Sequence, residues 1–169
     1  CDTWGAEIRL TNDSGHSHSP CVAVDPDGGL HVAWVDDRTG NYEIYYKRWT
    51  SGSGWSADER VSNYYEVDYH PSIVASSSKA YVAWESRADE YSRATAVHMA
   101  VKSGASWSVP AEIDYAADRD RYSPSLALGA NGLLHAVYER QTSDIADERE
   151  EIAHRSWNGT AWSAVAVLS

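Results

Sequence analysis

The sequence predicts an all-β chain assembled from three copies of a four-stranded unit. Two observations carry that prediction. A block of sequence recurs about every 50 residues, and within each block short apolar stretches alternate with turn residues. The blocks cover residues 4–54, 55–106 and 107–161, and residues 162–169 open the block once more. Aligned on their tryptophans, the openings read WGAEIRLT, WSADERVS, WSVPAEID and WSAVAVLS. Next come HSPCVAVD, YHPSIVAS and YSPSLALG, then LHVAWVDDR, AYVAWESR and LHAVYER. A third apolar stretch (EIYYKRWT, TAVHMAVK, EIAHRSWN) leads into GSGW, GASW and GTAW.

Four strands follow in turn from each block. The segment after the tryptophan, residues 7–10 in the first block, alternates polar and apolar as a half-exposed edge strand does. The next two, residues 21–24 and 31–34, are nearly continuous apolar runs, the pattern of strands covered on both faces. The fourth, residues 44–49, alternates again and ends in a Gly-x-x-Trp turn. Pro26-Asp27-Gly28-Gly29, Ser76-Ser77-Ser78-Lys79 and Asn131-Gly132 supply the turns between the middle strands. No convincing helix is found, and the acidic run 147–151 reads as a solvated loop. Such units in series, with buried middle strands and a polar outer strand, are the blades of a β-propeller.

The Gly-x-x-Trp turns carry a resemblance. Gly52 with Trp55, Gly104 with Trp107 and Gly159 with Trp162 match the glycine and tryptophan of Ser/Thr-x-Asp-x-Gly-x-x-Trp. That motif is the Asp-box, and this chain resembles the sialidase-like (BNR repeat) propellers that bear it between their third and outermost strands. The aspartate is replaced each time, by Thr50, Lys102 and Trp157, so the boxes are degenerate. The resemblance implies three sialidase-like blades. It leaves function open, because such boxes also occur in lectins, sorting receptors and assembly factors.

In an Asp-box propeller the outermost strand follows the box, so the opening strand of this chain has no inner triplet of its own. Three blades are also too few to close a ring. An open arc leaves an apolar face on each terminal blade, and bare faces and unpaired edges invite partners. The expected resolutions are a six-bladed ring of two copies, part of a longer propeller of about six blades, or a spare strand at residues 4–11 that pairs with a neighbouring copy in an oligomer or filament.

Composition narrows the partners. With 25 acidic and 14 basic residues the formal net charge is −11, which argues against nucleic acid or an anionic membrane. No apolar run is long enough to span a bilayer. Eight Trp and eleven Tyr with no Phe supply amphipathic rings for strands, and for contact with sugars or proteins. Of the two cysteines, Cys1 and Cys21, the alternatives are a disulfide in an oxidising compartment, a buried thiol at Cys21, or a lipid-modified Cys1. An extracellular or cell-surface location is expected.

Ligands of propellers usually bind the face bearing the loops 11–19, 62–70 and 115–123, with 36–43, 85–95 and 139–151. On that face the candidates are Asp36, Asp37, Arg38, Tyr64, Tyr65, Glu85, Arg87, Tyr91, Arg119, Arg121, Tyr122, Glu139 and Arg140. An acid followed by arginine recurs as Asp36-Asp37-Arg38, Glu85-Ser86-Arg87 and Glu139-Arg140. It reads either as a carboxylate-binding pocket with acids for proton transfer or as repeated inter-blade ion pairs. Recurrence favours the ion pairs, since a catalytic group usually occurs once. Tyr64, Tyr65, Tyr69, Tyr91 and Tyr122 suit a glycan, or else plug the channel.

The Arg-Ile-Pro signature that sialidases carry is absent, so no catalytic residue is assigned. No cofactor is expected; the alternative is a calcium ion among Asp118, Asp120 and nearby acids. Asp25-Pro26-Asp27-Gly28 reads as a plain turn, and His31 and His135 as packing residues. The expected function is a non-catalytic propeller module acting through other copies of itself, with a glycan-binding lectin and a piece of a glycoside hydrolase as alternatives.

Overall fold

The computed structural model describes residues 3–88, 95–116, 119–142 and 149–168. They form three antiparallel sheets, one per sequence block, and no described residue is helical. No helix among them is therefore long and apolar enough to cross a membrane. The first sheet holds β1 (Ser17–Val24), β2 (Leu30–Asp36) and β3 (Glu43–Thr50), edged by the short β4 (Gly54–Trp55) and β5 (Glu59–Arg60). The second holds β6 (Val67–Ala75), β7 (Lys79–Arg87) and β8 (Thr95–Ser103), edged by β9 (Ser106–Trp107) and β10 (Ala111–Tyr115). The third holds β11 (Arg121–Leu128), β12 (Leu134–Gln141), β13 (Glu150–Trp157) and β14 (Ala166–Leu168). Glu150 and Glu151, expected in a loop, open β13, where their backbones pair with Gln141 and Arg140.

The sheets stack through two apolar seams. Trp84 and Val82 of β7 press on Ala33, Val35, Ile44 and Tyr46 of the first sheet. One repeat later Tyr138 and Leu134 press on Ala83, Val97 and Met99 of the second. Trp34 occupies the same repeat position as Trp84 and Tyr138, since Leu30, Ala80 and Leu134 start their ladders alike. Trp34 therefore looks outward from the first sheet, where the chain supplies no preceding sheet.

The Gly-x-x-Trp turns close each sheet, with one difference between repeats. Lys102 pairs with Trp107, and Trp157 bridges to Trp162, with Gly104 and Gly159 at positive φ. In the first sheet Trp49 pairs with Trp55, one residue further on. The left-handed residue there is Gly54 (φ 71°) instead of Gly52, because the longer loop moves the sharp bend next to the tryptophan. The serine after each tryptophan then extends the pairing. Ser56, Ser108 and Ser163 each bond, through backbone N–H and hydroxyl, to residues 48, 101 and 156.

Two expectations change. Residues 7–10 form no strand, because the chain holds no free triplet for them to pair with. Instead Lys47 Nζ donates to the Leu10 carbonyl at 2.8 Å, and Leu10 and Thr11 line a cavity of about 190 Å³ with Val32 and Trp34. The chain's own N-terminal segment thus lies against part of the first sheet's outer flank, beside Val32 and Trp34. The rest is bare: Val22 and Val24 are 64% and 61% exposed. Strands β1 and β11 are covered on one face only, unlike β7 of the middle sheet, since each belongs to a terminal sheet. Ile152, Val167 and Leu168 stand exposed on the third sheet.

Cys21 is a free thiol that donates to the Ala33 carbonyl at 3.6 Å, and burial pushes its pKa up to about 12. Cys1 lies outside the described residues. Trp84→Ala, which empties the first seam at a fully buried site, is expected to destabilise the fold by about 3–5 kcal/mol in chemical denaturation. Val24→Ser, at an exposed site, should cost less than about 0.5 kcal/mol in the monomer.

Candidate functional site

The acid-then-arginine motifs resolve into ion pairs within single sheets. Asp36 is buried and accepts Ser17 Oγ (2.7 Å), Trp34 Nε1 (3.0 Å), and Arg38 through its backbone N–H, Nε and Nη2 (3.0, 2.8 and 2.7 Å). Burial alone would raise its pKa, but these donors hold it well below the usual carboxylate range. Arg38 also meets Asp13 at 2.6 Å and Asp58 at 2.7 Å, and lies over the Tyr45 ring at 4.2 Å. Gly15 sits against this clasp, where a Cβ would fall 2.7 Å from the Arg38 nitrogen. Asp37 Oδ1 accepts the His16 N–H at 2.6 Å.

The inter-blade role expected of these pairs does not hold for Asp36 and Arg38, because an arginine two residues after its acid folds back onto the same loop. Arg140 instead meets Glu151 at 2.6 Å, across the β12–β13 ladder. Arg121 is buried against Asp114 at 2.8 Å, and its N–H bonds the Thr95 hydroxyl. Tyr122 donates to Glu150, and Glu139 is its ladder partner on β12. Arg119 bridges to Ala116, and Tyr64 and Tyr65 stand exposed on their loop. Tyr91 and Asp118 lie outside the described residues. Among the described residues no three His, Cys, Asp or Glu gather as a metal site.

Glu85 and Arg87 lead to a richer cluster. Each innermost strand carries a bulge at an X-Pro step, with Ser19, His70 and Ser123 at φ 49°, 49° and 51°. Left-handed non-glycine residues are uncommon, and three at one repeat position mark a built-in feature that re-aims side chains. At the middle bulge His70 Nδ1 lies 3.0 Å from Glu85 Oε2, while Arg87 reaches Oε1 through Nε and Nη2 at 2.7 and 2.5 Å. The Ser123 N–H of the third sheet approaches the same carboxylate at 3.5 Å. Glu85 is fully buried and His70 is half exposed, so the carboxylate, which can only accept, orients the imidazole through Nδ1.

An aromatic shelf continues from His70 across the first seam. Tyr69 stacks on His18 (6.4 Å), Tyr42 lies 5.4 Å from both, and Arg87 covers Tyr69 at 5.9 Å. Below it Asp68 is buried, accepting Ser86 Oγ at 2.6 Å and donating its backbone N–H to Tyr42. Burial, reinforced by Glu43 and Glu66 and opposed by Ser62 and Ser86, lifts the Asp68 carboxyl to about 7.

Sequence reasoning picked out Tyr69, Glu85 and Arg87 but did not single out His18, Tyr42 or His70. A signal was present: an aromatic two residues before proline recurs as His18-Ser19-Pro20, Tyr69-His70-Pro71 and Tyr122-Ser123-Pro124.

No family model matches the sequence, and no curated protein matches it. The fold is similar to that of several solved structures. A protein of unknown function from Dyadobacter fermentans DSM 18053 aligns at TM-score 0.64 and 14% identity, over 90% of this chain and 54% of that one. An endo-1,4-beta-xylanase from Bacteroides thetaiotaomicron VPI-5482 aligns at 0.60 and 13%, over 97% and 62%. A Trypanosoma rangeli sialidase aligns at 0.61 and 11%, over 87% and 29%. This chain thus has a propeller-like, sialidase-type fold, and spans little more than half the length of the first two.

Asp68 makes the cluster sensitive to pH. The unfolded carboxyl ionises near pH ~4, whereas the folded one holds its proton to about 7. Between those values the unfolded state binds fewer protons, so stability falls as pH rises, by up to about 1.4 kcal/mol per unit. Asp36 acts oppositely: its contribution is present above pH ~4 and lost in stronger acid. Asp68→Asn is expected to flatten the decline between pH 4 and 7 in a series of thermal melts. An unchanged slope would show that Asp68 is ionised in the fold.

Proposed function

We propose that this chain is an arc of a carbohydrate-binding propeller, with its ligand surface at the loop end of the seam between the first two sheets. The observation that carries this reading is the shelf of His18, Tyr42 and Tyr69 beside the fixed groups His70 and Arg87. Aromatic faces cover the C–H side of a sugar ring, while a guanidinium and an imidazole bond its hydroxyls. The xylanase and the sialidase of like fold lend support, since both are named for carbohydrate substrates. Catalysis is not part of the proposal: Glu85, the carboxylate that holds Arg87 and His70, is buried and already spent on them.

A second reading, self-assembly, rests on the bare flanks. Val22 and Val24 at one end, and Ile152, Val167 and Leu168 at the other, match positions that further blades would cover. A ring of two copies, or a filament, would bury them.

Screening the chain against a glycan array is expected to give a defined set of binders. Tyr69→Ala should then weaken binding about tenfold, the ~1.4 kcal/mol of one lost aromatic face. Unchanged binding would remove the shelf from the site. Light scattering tests the second reading: a multiple of the chain mass, reduced by Val24→Lys, is expected, and a monomer at all concentrations overturns it.

A further inference from the structure

The opposite, turn-bearing end of the same seam holds a cavity of about 270 Å³ lined by His31, Tyr46, Arg48, Lys79, Lys102 and the serines at 76–78. Three of the chain's 14 basic residues converge there, although the protein as a whole carries −11. The nearby acids are already engaged. Asp25 accepts Arg48 Nη2 (2.6 Å), His31 Nε2 (3.1 Å) and the Gly29 and Asp27 N–H groups (2.8 and 2.9 Å). Glu59 accepts Lys102 Nζ at 2.5 Å and Trp107 Nε1 at 3.0 Å.

One cation remains: Lys79, exposed beside the cavity, makes no ion pair among the described residues. The Ser76–Lys79 turn is closed by its own bonds, Ser76 N to the Lys79 carbonyl (2.8 Å) and Lys79 N to Ser76 Oγ (3.1 Å), which leaves the Ser77 and Ser78 side chains exposed beside Lys79. His31 shares a bond with the Tyr46 hydroxyl at 2.8 Å, and burial lowers its pKa against the pull of Asp25.

We propose that this cavity is an oxyanion site, taking one sulfate or carboxylate group. Arg48 and Lys102 are held in the walls by Asp25 and Glu59, and Lys79 with the Ser77 and Ser78 hydroxyls supplies the donors an anion can reach. The volume lies just below the usual ~300–1,000 Å³ of small-molecule pockets, which suits a single anionic group or an acidic monosaccharide and not a polymer chain. The site is separate from the aromatic shelf, so it stands or falls independently of glycan binding there.

Titrations of the whole chain with sodium sulfate, glucuronate and a glucose sulfate, followed by calorimetry against sodium chloride at matched ionic strength, test it. Saturable binding of at least one oxyanion is expected, with loss of about tenfold or more in Lys79→Gln, a surface change that leaves the fold intact. Arg9→Gln, which removes one charge elsewhere, should leave binding unchanged. Tighter binding of the sugar acids than of sulfate places the group on a saccharide, and equal binding makes it a free anion; both support the site. Identical responses to chloride, or full binding by Lys79→Gln, overturn it.

Discussion

One contact organises the molecule: the large ring near the middle of each second strand, set against the sheet before it. Trp84 fills the first seam against Ile44 and Tyr46, and Tyr138 fills the second against Val97 and Met99. Burying a ring of this size removes some 150–250 Å² from water. The small residues opposite, Ala33 and Ala83, let the sheets approach closely around it. Trp34 inherits the same position with no sheet before it. Its exposure is avoided by Leu10, Thr11 and the guanidinium of Arg38, which is held in place by Asp13, Asp36 and Asp58. A structural ion-pair network therefore covers Trp34 on this flank of the first sheet.

The seam has two ends, and each end is chemically different because different parts of the repeat reach it. At the loop end the X-Pro bulges of β1 and β6 bring His18, Tyr69 and His70 together, and Glu85 secures His70. At the turn end the third strands deliver Arg48 and Lys102, and the short β6–β7 turn adds Lys79. An acidic protein thereby keeps an aromatic surface and a cationic recess on opposite sides of one interface. Both depend on the packing of Trp84 between them, which sets the distance between the sheets.

Much of this was legible in the chain alone. The period of about 50 residues, the Trp-bounded blocks and the alternation of apolar runs with Gly, Ser and Asn turns specify three sheets and the order of their strands, because strand period and turn chemistry are local properties. The serines after Trp55, Trp107 and Trp162 were visible in the same alignment, although their role in extending the ladders emerges only from the backbone bonds.

What tertiary structure decided is which polar groups meet. Arg38, Arg87 and Arg140 look alike in sequence, yet Arg38 clasps a flank, Arg87 orients a histidine through Glu85, and Arg140 ties two strands. The segment at residues 7–10 has the pattern of a strand and forms none, since a ladder needs a second chain edge that local sequence cannot supply. Local periodicity determines the elements of this protein; the assignment of each charge and ring waits on contacts between residues tens of positions apart, which only the packing of the sheets brings into reach.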